Sequence, residues 1–186
     1  LHKKTGHTIH IMIGGAGATG VELAAEMAMF FRRKIINGEV TPKDFSLSLI
    51  EAQSRLLPML HPQLSEWAHD RLSTLGVKLY LDTCIKHLSR REITLAPRTL
   101  KQGETKDMLV CDFRAKSEKH FESDMTIWTG GIRGSSSLER LGLPLDPRGK
   151  RIVVDTSCRI ADHDNVYAVG DSALFINPKT QQPIPW

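Results

Sequence analysis

Residues 11–27 read IMIGGAGATGVELAAEM and place Gly15, Gly17 and Gly20 in the spacing GxGxxG, between a β-branched run and an alanine-rich one. Glycines so spaced can cradle a pyrophosphate. Gly15 permits a tight turn, Gly17 lets an anion approach the backbone, and Gly20 lets the following helix pack closely on the strand. The N–H groups that open that helix, from Ala18 and Thr19 onward, have no partners within it and carry partial positive charge. The same chemistry needs a carboxylate at the end of the next strand, where it accepts hydrogen bonds from an adenosine ribose. Glu51 holds that place, 31 residues after Gly20, instead of roughly 20. The excess is NGEVTPKD, residues 37–44, which lengthens the loop without moving the strand end. A carboxylate repels a 2′-phosphate and favours NADH over NADPH. Arg55 lies close enough in sequence to accommodate that phosphate, so the second cofactor stays open at this point.

The elements that must position these groups follow from hydrophobic periodicity. TIHIMI, residues 8–13, predicts a buried strand, and residues 18–37 a helix with Val21, Ala24, Ala28, Phe31 and Ile35 on its apolar face. Arg32, Arg33 and Lys34 complement the dipole at its end, before an Asn37-Gly38 stop. FSLSLIEA (45–52) predicts a second strand. A helix over 63–75 follows, with Leu64, Trp67, Ala68, Arg71 and Leu75 along one side, and then a strand at VKLYL (77–81). These complete a βαβαβ unit. Residues 84–121 carry short β-like runs, EITLA and DMLVCDF, that suggest an antiparallel meander. SDMTIWTGG (123–131) reads as a buried strand, SLERLGL as a short helix, and PLDPRGK as a boundary ahead of two strands, RIVVD and NVYAVGD. The fold class is α/β, a Rossmann-like parallel sheet with an antiparallel β-meander.

Composition removes several function classes. Twenty-five Lys and Arg against 21 Asp and Glu leave a net charge of +4 with no long like-charge block, which argues against nucleic acid. No apolar run approaches the roughly 18 residues of a membrane span, and no signal peptide opens the chain. Cys84, Cys111 and Cys158 form no CxxC pair and read as reduced, mostly buried thiols of a cytoplasmic protein, with Cys84 structural. The histidines show neither HxxxH nor HExxH spacing, so no metal site is expected. Trp67 and Trp128 read as core residues, and no catalytic acid, base or nucleophile stands out.

Three stretches, GGAGATGVELA, IEAQSRLLPML and the run from TIWTGG to YAVGDSA, together resemble the pyridine nucleotide-disulfide oxidoreductase superfamily, and within it the type II NADH dehydrogenases, which are NADH:quinone oxidoreductases. The resemblance implies an NADH-binding domain over residues 1–145. It implies that residues 146–186 return to an incomplete FAD-binding domain. By the same resemblance Gly170, Asp171 and Ala173 would meet FAD, Glu22 would lie near the nicotinamide, and Thr129, Gly130 and Gly131 would run along NADH. The implied activity passes hydride from NADH to flavin and electrons to a quinone, with the cofactors carrying the chemistry. A second GxGxxG, a TAQ segment and a C-terminal amphipathic anchor are not in this sequence, so it is expected to be a piece of a longer protein and inactive alone. The intact protein would sit peripherally on the inner face of the cell membrane through that anchor. The apolar VYAVG edge, left uncovered, would invite pairing, so the tail is expected to be disordered or packed against another copy as a homodimer. Two further readings stay open: an NADH-dependent disulfide or ferredoxin-type flavoprotein reductase, and a non-catalytic NAD-sensing module.

Overall fold

The computed structural model describes residues 6–98, 111, 117–146 and 149–180. The chain divides into two compact units, Leu1–Gly130 and Gly131–Trp186. This division falls earlier than the Pro/Gly-punctuated stretch at residues 144–150.

In the first unit the chain runs β1 (Ile9–Gly14), α1 (Ala18–Ile36), β2 (Phe45–Ile50), α2 (Pro62–Thr74), β3 (Lys78–Tyr80), β4 (Thr83–Leu88), β5 (Glu92–Pro97), β6 (Lys119–Glu122) and β7 (Met125–Trp128). A parallel sheet forms in the order β3-β2-β1-β7, with both helices as crossovers. Strand alternation sorts its two faces. Ile11, Ile13, Leu47 and Leu49 pack with Ala24, Ala28 and Leu72 on the helical side. Met12 and Ile50 pack instead with Ile93 and Leu95 of the meander, β4-β5-β6, which is antiparallel. Each such aliphatic side chain, fully buried, contributes about 1.5–3 kcal/mol. Gly20, Ala24 and Ala28 form the buried stripe of α1, small enough at four-residue spacing for the helix to lie close on the sheet. The fold class read from the sequence is thus the one observed. The DMLVCDF run lies outside the described residues apart from Cys111.

The second unit holds a 3-10 turn at Ser136–Leu141, β8 (Ile152–Val154), a 3-10 turn at Gly170–Ser172 and β9 (Ala173–Phe175). β8 and β9 pair in parallel, and Ile152, Val154, Ile160, Ala168 and Ala173 form a small core. Among the described residues no helix is long and apolar enough to cross a membrane.

Four sequence expectations are corrected. Trp67 is 60% exposed, because α2 turns Ser65, Ala68 and Leu72 to the sheet and leaves Leu64 and Trp67 on the flank. Trp128 is 65% exposed, because β7 is an edge strand, paired on one side by β1. NVYAVGD forms no strand: Tyr167 makes one isolated bridge to Arg159 before the chain turns at Gly170, whose φ is +65°. Tyr167 and Val169 are nonetheless exposed, as an uncovered edge would be. Finally, Cys84 is bonded to Cys111, 27 residues away, and Cys158 is the free cysteine. Wide spacing hid a pair that the meander brings together.

Candidate nucleotide-binding site

The turn between β1 and α1 has the shape that its glycines imply. Gly15 takes φ +101°, and a Cβ there would lie 2.8 Å from the Gly130 Cα. At Gly20 a Cβ would lie 1.9 Å from the Gly15 carbonyl oxygen, so that only glycine lets the first turn of α1 sit against the end of β1. At Gly17 a Cβ would meet nothing within 4 Å, leaving open space above the turn where a phosphate could approach. α1 starts at Ala18 and Thr19 with no side-chain cap and no acidic residue in its first turn. Its leading N–H groups therefore take no cap or acidic partner from the helix's own first turn, and a phosphate fits them.

The loop after β2 fixes Ala16 from both ends of its residue. The Ala16 N–H donates to Glu51 Oε2 at 2.7 Å, and the Leu57 N–H donates to the Ala16 carbonyl at 2.8 Å. Leu57 reaches that carbonyl with φ +48°, while Leu56 beside it is buried in the core. The RLLP run thus closes a loop around the turn, a role its composition did not reveal. Glu51 is 8% exposed and accepts a second hydrogen bond, at Oε1 from the Gln53 N–H at 2.9 Å. A carboxylate offers about four lone-pair sites. Two of them accept backbone N–H groups here. Arg55 is engaged within its own loop, donating from Nη1 to the Leu60 carbonyl at 2.9 Å and from Nη2 to the Pro58 carbonyl at 2.5 Å. In that geometry two of its N–H groups close the loop.

From the opposite side, Thr129 at the end of β7 donates its N–H to the Gly14 carbonyl at 2.8 Å. Its hydroxyl points to the Gly14 and Gly15 carbonyls at 3.0 and 2.9 Å. The Trp128 indole N–H donates to the Gly130 carbonyl at 2.9 Å, and its ring leans on the glycine backbone at positions 14 and 130. The structure therefore gathers Gly15, Gly17, Ala18, Thr19, Gly20, Glu51, Thr129 and Gly130 around one turn. Glu22 lies farther along α1, exposed.

Gly131, with φ +77°, opens the second unit. In that unit Gly170 and Asp171 are exposed on the 3-10 turn, whereas the Ala173 side chain is wholly buried in the small core. Two open hollows of about 390 and 400 Å³ are present, one between α2 and the loop at Ser54, Arg55 and Leu56 and one beside β8, and none of the glycines named above lines them.

Comparison with known proteins bears on the family and the fold. A family model described as pyridine nucleotide-disulphide oxidoreductase matches residues 1–184. A type II NADH:quinone oxidoreductase of Haemophilus influenzae is 31% identical, over 90% of this chain and 34% of its own length. The Staphylococcus haemolyticus protein of the same name is 26% identical, over 98% of this chain and 41% of its own length. This chain thus spans only about a third to two-fifths of those relatives. Among solved structures, NDH2 from Plasmodium falciparum in complex with NADH superposes with a TM-score of 0.72 at 20% identity, covering 91% of this chain and 32% of that one. A ferredoxin reductase from Rhodopseudomonas palustris superposes at 0.61 and 20% identity, covering 95% and 36%. These two likenesses concern the fold. With its glycine turn, its following carboxylate and a family match that runs almost end to end, the chain belongs to the pyridine nucleotide-disulphide oxidoreductase family.

Proposed function

We propose that this chain is the NADH-binding part of a FAD-dependent NADH:quinone oxidoreductase. The observation that carries the reading is Glu51, a buried carboxylate joined through Ala16 to the glycine turn, at the place where an adenosine ribose would lie. On this reading residues 1–145 hold NADH and residues 146–186 return to a FAD domain that the rest of the protein completes. When bound, NADH supplies a hydride and FAD carries its two electrons onward to the quinone.

The chain's own residues bind and orient. Gly17 and the N–H groups of Ala18 and Thr19 receive the pyrophosphate, and Glu51 accepts from the ribose hydroxyls. Glu51 also repels a 2′-phosphate, and Arg55 is turned onto the carbonyls of its own loop. Glu22 faces the nicotinamide end, Gly130 and Gly131 border the dinucleotide, and Gly170 and Asp171 serve the FAD side. The chain alone transfers no electrons, and the intact protein works at the inner face of the cell membrane.

Calorimetric titration with NADH, NADPH and FAD tests this. NADH binds more tightly than NADPH, FAD is not taken up, and Glu51→Gln narrows the NADH/NADPH ratio about tenfold, as the loss of a buried charge opposite a phosphate should. Equal affinity for the two nicotinamide cofactors in the wild type, or an unchanged ratio in the variant, overturns the assignment. Stoichiometric FAD with NADH oxidation by the chain alone overturns its inactivity.

A further inference from the structure

We infer that Thr129 is a positioning residue for the pyrophosphate cradle, acting through the Gly15–Ala16 peptide and not by contact with the cofactor. The inference rests on the NADH reading above and assigns Thr129 a different task from the contact that family resemblance implies.

A threonine hydroxyl has one proton. Here it is directed inward, shared between the Gly14 and Gly15 carbonyls, while the Thr129 N–H also donates to Gly14. The Gly15 carbonyl has little freedom of its own. It lies against Gly20, where a Cβ would come within 1.9 Å of it, and the same hypothetical Cβ would lie 2.8 Å from Thr129 Oγ1. One joint thus brings together the end of β1, the first turn of α1 and the end of β7.

The peptide that carries this carbonyl also carries the Ala16 N–H, which donates to Glu51. Rotating the peptide away from Thr129 would swing that N–H off the carboxylate and tilt the leading N–H groups of α1. A rigid peptide held from both sides presents the cradle already set, so that binding pays little reorganisation. The hydroxyl of Thr129 holds one side and Glu51 holds the other.

The substitutions separate by chemistry. Valine keeps the shape, removes the donor and puts a methyl group about 3 Å from two carbonyl oxygens, closer than carbon and oxygen pack comfortably. Alanine removes the donor without crowding. Serine keeps the donor.

Titration of the 186-residue chain with NADH and ADP-ribose, combined with amide exchange at Ala16, reads the effect. Thr129→Val is expected to weaken both ligands about tenfold, the order for one buried polar contact, and to speed Ala16 exchange by a similar factor. Thr129→Ala does the same about threefold and serves if the valine variant fails to fold. Thr129→Ser restores affinity and protection to within about twofold of wild type. A folded valine or alanine variant with wild-type affinity and Ala16 protection overturns the inference, as does a serine variant no better than alanine. A wild-type chain that binds neither ligand overturns the NADH reading itself, a different result from equal binding by wild type and variants.

Discussion

The turn after β1 and the turn at Gly170–Ser172 are both cornered by glycine, and the chain holds them in different ways. The turn after β1 is fixed by two separate segments: Glu51 and Leu57 of the loop after β2 hold Ala16, and Thr129 at the end of β7 holds the carbonyls of Gly14 and Gly15. The turn at Gly170–Ser172 has a positive φ at its first residue and open space around the missing Cβ. Beyond it the chain enters β9, which pairs with β8. Conformation is over-determined in the first turn and local in the second. A site that must present N–H groups already aimed at a phosphate needs the first kind of support.

The largest effect should come from putting a methyl group where the first turn closes. Gly20→Ala places a Cβ 1.9 Å from the Gly15 carbonyl oxygen, a backbone atom that cannot move aside without breaking the brace. It should cost at least about 3 kcal/mol of stability and abolish NADH binding, since overpacking against backbone lies at the severe end of single substitutions. Gly170→Ala, by contrast, meets no neighbour and should cost about 1–2 kcal/mol, the strain of a left-handed alanine. Denaturant unfolding of both variants measures the difference. Equal losses would erase the distinction between the two turns.

Next in size is the bond that only the first unit carries. Cys84 and Cys111 close a loop with a sequence separation of 27. In the chain-entropy account a loop of that length stabilises by about 3–4 kcal/mol. Reduction with a dithiol should lower the melting temperature by about 10 °C. The Cys84→Ser/Cys111→Ser variant should melt at the reduced temperature with or without reductant. A melting temperature indifferent to reductant in the wild type would show that the first unit owes its rigidity to packing alone.

The sequence made the first turn legible and its bracing illegible, for a physical reason. Glycine spacing, the alternation of β1 and the four-residue stripe of α1 are local properties, and Glu51 is found by its position at a strand end. Thr129 lies 114 residues from Gly15, and its hydroxyl became interpretable only once β7 paired with β1. Arg55 left the second cofactor open because a guanidinium's partners are not written in sequence, and here two of its N–H groups go to loop carbonyls. Trp67 and Trp128 failed the reading for the complementary reason. Hydrophobicity implies burial only where a neighbouring element arrives to cover it, and among the described residues Trp128 at the edge of β7 and Trp67 on the flank of α2 stay exposed. The Cys84–Cys111 pair depended on the path of the meander, which short β-like runs do not specify.

β7 also offers the smallest and most selective test, because it is pinned at both ends by different chemistry. At the Thr129 end the contacts reach the glycine turn. At the other end Asp124 accepts from the His10 N–H at 2.8 Å and from the His7 ring at 2.9 Å, and its own N–H donates to the His10 carbonyl. The His10 N–H first, and His7 second, hold the Asp124 carboxyl below the ordinary carboxylate range. A carboxyl whose folded pKa is depressed adds stability above its unfolded value, near pH 4, and loses it as pH falls through the lower folded value. The side chain is 39% exposed, so solvent screening keeps the contribution below about 1 kcal/mol. Asp124→Asn keeps an acceptor for His10 and removes only the charge. It should lower the melting temperature by about 1–2 °C at pH 7, and that difference should shrink as the pH falls through the lowered folded value and the wild-type carboxyl takes up its proton. NADH affinity should stay at the wild-type value, because the contacts of Asp124 end at the start of β7. An affinity loss matching that of Thr129→Val would mean that β7 transmits strain along its whole length, and that the bracing of the first turn belongs to the strand and not to its last residue.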